Sequence, residues 1–183
     1  MKKFIPLLIA IISIVLFTGM IMKNEMHLKN SQSIYIQLKP VDPRSLIQGD
    51  YMQLNYELFF APHNSDQTDF VFSGGHFDEL IQNKPKITTF VELDEKKRVI
   101  HTSFTQPTAN HTEKLVLRNP DNRYTSLYPA SQSFLFAEGL AECYAQAQYA
   151  EFKVNREGNA ILAALKGQNL QDLGCERQKS WSQ

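Results

Sequence analysis

The chain has 183 residues and sets 19 Lys and Arg against 19 Asp and Glu. Lys2, Lys3 and Lys23 sit at its N-terminus, so the remainder is slightly acidic, which excludes the basic face that nucleic-acid binding needs. No polybasic cluster marks anionic lipid, and the length suits one domain with its own core.

Lys2-Lys3 precede an uncharged apolar run from Phe4 to Met22. As a helix the run spans roughly 28 Å, close to the hydrocarbon thickness of a bilayer. A cleaved signal peptide has a shorter apolar core, roughly 7–15 residues, and small residues at its cleavage site. Thr18-Gly19-Met20-Ile21-Met22-Lys23 has no such pattern. The prediction is an uncleaved single-pass anchor over residues 1–23, in contact with membrane lipid through residues 4–22. Lys2 and Lys3 favour an inside N-terminus, and long downstream domains translocate largely regardless of charge. The domain is therefore expected outside the cytoplasm, with residues 24–32 as a polar juxtamembrane linker.

A β-rich domain is expected over residues 33–166. Ser33-Ile34-Tyr35-Ile36-Gln37-Leu38 alternates and is β-branched, which reads as a strand. Tyr51 to Leu58 alternates more clearly. Tyr51, Gln53, Asn55 and Glu57 share one face, and Met52, Leu54, Tyr56 and Leu58 share the other, core-facing one. These two strands are expected to pair across the Pro40–Gly49 connection. Pro62 to Asp69 is turn-rich, and Phe70, Phe72 and Phe77 are candidate core aromatics.

Ile87 to Leu93 and Arg98 to Phe104 read as a hairpin with the charged turn Asp94-Glu95-Lys96-Lys97. Lys114 to Arg118 and Ser133 to Ala137 are further strands. Gly139 to Gln148 is alanine-rich and reads as a short helix. Tyr149 to Val154 and Asn159 to Leu165 form a second hairpin across Asn155-Arg156-Glu157-Gly158. The tail, 167–183, is polar and expected to be loosely ordered. About eight strands and one or two short helices make the class mainly β, with α+β as the alternative. The expected architecture is a small antiparallel β-barrel or sandwich behind an N-terminal transmembrane helix.

The two cysteines, Cys143 and Cys175, are either a disulfide that pins the tail or two free thiols. No C-x-x-C exists. The five histidines are scattered without H-x-H or H-E-x-x-H spacing, so no metal site is assigned, and no cofactor motif is present.

One segment is distinctive. Gly49-Asp50-Tyr51, followed by Leu54 and Tyr56, resembles the signature of the GDYXXLXY family, bacterial membrane-anchored proteins named for that motif. Phe136-Ala137-Glu138-Gly139 and the hairpin from Tyr149-Ala150-Glu151 to Gly158 are also similar to the family's C-terminal half. The resemblance implies a bacterial cytoplasmic (inner) membrane location. It also implies a multi-spanning membrane-protein partner, because members are often encoded beside such proteins. It supplies no chemistry.

Read physically, Gly49 permits a tight strand entry, Asp50 can accept turn amides, and Arg44 can reach Asp42 or Asp50 across the loop. Asp42, Arg44, Gly49, Asp50, Tyr51, Leu54, Tyr56, Glu138 and Gly139 are thus the candidate motif residues, with either a corner-fastening or a recognition role. The expected function is non-catalytic: an extracytoplasmic binding or assembly module. The alternatives are a cell-envelope hydrolase, signal-peptidase-like or carbohydrate-processing, or a ligand sensor using a barrel cavity. Ser45-Leu46-Ile47-Gln48-Gly49-Asp50 resembles part of a signal-peptidase nucleophile box, but that register puts Val41 at the nucleophile, and valine cannot attack a carbonyl. No catalytic residue is assigned.

Overall fold

The computed structural model describes residues 5–39, 51–60, 81–106 and 111–178. Asp42, Arg44, Ser45, Gly49, Asp50, Phe70, Phe72 and Phe77 lie outside the described residues. The chain divides into two compact units, Met1–Ser31 and Gln32–Gln183.

The first unit is helix α1, Ile5–Asn30. Its 26 residues measure roughly 39 Å. Apolar side chains surround it rather than marking one stripe, and they are exposed all along, from Ile5 through Phe17 to Met22. A helix apolar on every side needs either a protein core or lipid around it. This one is long and apolar enough to cross a membrane, and none of its span is buried by protein.

The helix corrects the expected linker at 24–32. Lys23, Glu25, Met26, Leu28 and Lys29 are good helix formers with no glycine or proline among them, so the helix outlasts its apolar stretch. It ends at Asn30, and only Ser31 separates it from the first strand.

The second unit is mostly β. Its strands are β1 Gln32–Gln37, β2 Tyr51–Gln53, β3 Lys86–Leu93, β4 Val99–Ser103, β5 Thr112–Arg118, β6 Ser133–Leu135, β7 Tyr149–Val154 and β8 Ala160–Lys166. They form three sheets with neighbour orders β1-β7-β8, β2-β6 and β4-β3-β5, and every strand pair is antiparallel. The described strands do not close into a barrel. The expected antiparallel pairing of the first strand with the motif segment is present only as a short bridge, Leu38 with Tyr56, just beyond β1; β1 itself pairs along its length with β7, and β2 pairs β6. Alternation in a sequence tells which face a side chain takes, and carries much less about which strand lies alongside.

Inward faces of the sheets share one apolar cluster. Ile34 and Ile36 come from β1, Phe152 from β7, Val91 from β3, and Leu115 and Leu117 from β5. The β3–β4 turn is built on Asp94. Its carboxylate accepts the Lys96 and Arg98 amides and the Arg98 Nε at 2.6 Å, and Lys97 takes φ +62°. In the β7–β8 turn Gly158 takes φ +87°, and a Cβ there would meet the Lys114 backbone at 3.1 Å. Glycine is required on both counts.

The alanine-rich segment gives only α2, Ala141–Tyr144, shorter than the expected 139–148. Cys143 on this turn and Cys175 form a disulfide. The tail is correspondingly better ordered than its composition suggests. Cys175 is buried, Lys166 bridges Asp172 in the backbone ladder, and a 3-10 turn covers Cys175–Gln178.

Candidate functional site

The motif segment from Tyr51 to Phe60 joins all three sheets. Tyr51, Met52 and Gln53 pair with Leu135, Phe134 and Ser133 of β6. Leu54 N–H continues that ladder to the Gln132 carbonyl at 2.7 Å. Next the segment turns its other edge to β1: Lys39 N–H donates to Asn55 and Glu57 N–H to the Gln37 carbonyl, each at 2.8 Å. These two bonds bracket an antiparallel bridge between Leu38 and Tyr56. Finally the Phe59 carbonyl accepts Thr102 N–H of the β4 sheet at 2.7 Å.

Burial along the segment follows its alternation. Leu54 is 2% and Tyr56 9% exposed, whereas Tyr51, Gln53 and Asn55 face solvent. The Tyr56 ring meets Phe152 edge-on at 5.5 Å. Its hydroxyl donates to the Ser131 carbonyl at 2.5 Å. Burial pushes the Tyr56 phenol well above its ordinary range, so it remains a neutral donor. Leu54 and Tyr56 are therefore core pieces. Tyr51 is different. It stands directly opposite Leu135, with Tyr51 39% and Leu135 79% exposed, so two large side chains form an outward cross-strand pair.

Beside Leu54–Phe60 the surface is grooved. One cavity of about 360 Å³ is lined by Lys39, Asn55, Tyr56, Thr125, Leu127 and Gln132 among others. A second, about 240 Å³, shares Lys39, Tyr56, Thr125 and Leu127 and adds Leu58 and Phe60.

The remaining candidates do not join this segment into one centre. Glu138 is exposed and precedes α2, so it shares no helical face with Glu142. Gly139 takes φ +84° with open space where a Cβ would stand; its role is the backbone turn into α2.

A second polar cluster went unread in the sequence. Glu151 is buried on the outer face of β7. Ser33 Oγ donates to it at 2.9 Å, and Lys153 Nζ and Lys166 Nζ lie 3.3 and 3.2 Å from its oxygens. Lys166 also pairs with Asp172. Burial pushes the Glu151 carboxyl up, but the bonds from Ser33, Lys166 and Lys153 outweigh it and hold the group below the usual carboxylate range. The signal was present: Tyr149-Ala150-Glu151-Phe152-Lys153 alternates, and the hairpin register sets Tyr149 opposite Lys166.

Lys153 Nζ donates to Ser33 Oγ at 2.6 Å, the spacing of a Ser–Lys dyad. Its roles are wrong for one. A base must take the hydroxyl proton, whereas this ammonium donates to the oxygen and the hydroxyl points its proton at Glu151. The cluster reads as a closed ion-pair network. Among the described residues no group of three or more His, Cys, Asp or Glu is placed to hold a metal.

Residues 13–165 match the model of a family described as GDYXXLXY protein. The chain belongs to the GDYXXLXY family. The match runs from within α1 to β8, so it extends well beyond the motif, while the tail that carries Asp172 and Cys175 lies outside it. Neither a curated protein nor a solved structure matches the chain. Within the family signature the structure separates two tasks: Leu54 and Tyr56 fill the core, and Tyr51 is presented outward.

Proposed function

We propose that this GDYXXLXY protein is a non-catalytic, membrane-tethered module on the extracytoplasmic side of a bacterial cytoplasmic membrane, and that it binds a multi-spanning membrane protein. The observation that carries the reading is the Tyr51–Leu135 pair. Two large, exposed side chains lie opposite each other on a two-stranded sheet, one of them, Tyr51, from the segment that gives the family its signature. Contiguous exposed apolar surface on a folded domain is a usual mark of partner contact. The helix supplies the tether, since it is long and apolar enough to span a bilayer. The Cys143–Cys175 disulfide fits an oxidising compartment, which supports the outward placement of the domain.

The test is photocrosslinking in native membranes from a photoreactive residue at position 135, with position 157 on the β7–β8 turn as the control. A product containing a multi-spanning membrane protein is expected from 135 and not from 157, and it should vanish in the Tyr51→Ala variant. Equal products from both positions, or none from 135, would sink the reading. A C-terminal reporter active only in the cytoplasm would overturn the orientation.

A further inference from the structure

We infer that the edge of the motif segment at Tyr56–Leu58 is a docking edge for an extended acidic peptide strand. This rests on the binding-module reading and names what the module would take. The ladder to β6 stops at Leu54 N–H, because the chain beyond Gln132 leaves the strand direction and Tyr128 pairs with Arg118 instead. Asn55 and Glu57 spend their backbone groups on β1. The intervening residue, Tyr56, points its amide and carbonyl the other way, as alternation in an antiparallel pair requires. Among the described residues neither the Tyr56 amide nor the Leu58 amide has an acceptor.

The two cavities lie along this same edge, both bordered by Tyr56. The two share Lys39, Tyr56, Thr125 and Leu127, and a strand laid along them would supply the missing acceptor and donor from its backbone. That is strand addition, in which main-chain bonds give affinity and alternate side chains give specificity.

Side-chain chemistry at the edge selects the occupant. Lys39 lines both cavities, is exposed, and is the one charged side chain lining the 360 Å³ cavity. Among the described residues no ion pair engages it. A carboxylate on the incoming strand would complement it. The 240 Å³ cavity adds Glu57, which would repel a second carboxylate there, together with Leu58 and Phe60, so this end suits an apolar side chain at an alternate position and the carboxylate belongs at the 360 Å³ end beside Lys39.

The full-length protein in detergent would be titrated with a ten-residue peptide alternating valine and glutamate. Saturable binding is expected, with amide hydrogen exchange slowed at Tyr56 and Leu58. A copy N-methylated at alternate positions should bind at least tenfold more weakly, and Lys39→Glu should cost the acidic peptide at least tenfold. A lysine-for-glutamate copy should bind wild type poorly and gain on Lys39→Glu. No binding at millimolar peptide, or binding without protection of the two amides, overturns the docking edge. If the position-135 crosslink persists after that result, the module reading stands without it; loss of both removes both.

Discussion

Two polar regions of the domain meet the same problem in opposite ways. On the β1-β7-β8 sheet the buried Glu151 is surrounded by Ser33, Lys153 and Lys166, and Lys166 is shared with Asp172. Charges balance and the carboxylate has donors for both oxygens. Along the motif segment the backbone alternates between sheets, and among the described residues the Tyr56 and Leu58 amides have no acceptors. In the first region the polar groups satisfy one another; an open edge can still form bonds with something else.

The sharpest way to break this contrast is through the shared core. Leu54 sits under the motif segment at 2% exposure, next to the point where the ladder to β6 ends. Leu54→Ala should destabilise by roughly 2–5 kcal/mol, through lost burial and a residual cavity. Chemical denaturation checks it. A loss below about 0.5 kcal/mol would mean the segment is not joined to the core as described.

Next in size is the tail clamp. Replacing Cys143 and Cys175 together by alanine should cost roughly 2–4 kcal/mol, since the bridge closes a loop over 32 positions of sequence. The loss should fall at both ends of the bridge: on the tail beside Asp172, and on α2, whose Tyr144 packs on Phe134 of β6 at 5.2 Å. Hydrogen exchange should rise first in α2 and β8 and leave β3 and β5 unchanged.

Removing the network's centre comes third. Glu151→Ala leaves two lysines without their carboxylate, at roughly 1–3 kcal/mol given that Lys153 is partly solvated. The pH dependence carries a definite sign. The folded Glu151 titrates below its ordinary value. Its contribution is therefore complete above the unfolded carboxylate pKa, roughly 4.3, and is lost as pH falls through the folded value. Acid denaturation should show this slope in wild type and lack it in Glu151→Gln.

The same contrast explains what the sequence could convey. Faces were legible: the alternation from Tyr51 to Leu58 correctly assigns Leu54 and Tyr56 inward and Tyr51 outward, because side-chain direction is a local property of a strand. Partners were legible only nearby: the first strand does meet the motif segment at Leu38–Tyr56, whereas its main partner, β7, lies more than a hundred positions away. Composition does not show that a disulfide and one lysine–aspartate pair fasten the polar segment up to Gln178, which has little apolar surface of its own. The linker was a misreading of a boundary. The end of the apolar run was taken for the end of the helix, and polar helix formers carry α1 on to Asn30. At the site, Tyr51 was legible as a motif residue, but its pairing with Leu135 required the register.

The smallest expected effect on stability decides most about function. Tyr51 is exposed and stands on a three-residue strand. It stands opposite Leu135 across the sheet, a cross-strand pairing worth roughly 0.2–1 kcal/mol. Tyr51→Ala should therefore move the melting temperature by no more than a few degrees, far less than Leu54→Ala three residues along. A purely structural motif would predict that partner capture in Tyr51→Ala declines only as far as the folded fraction does. The outward pair predicts a different outcome: capture from native membranes is lost while the folded fraction is unchanged, and Tyr51→Phe restores it, because the apolar ring area and not the hydroxyl makes the surface. Leu135→Ser should reproduce the loss from the neighbouring strand. If Tyr51→Ala binds as wild type does, the exposed pair is incidental and the signature of this family concerns folding alone.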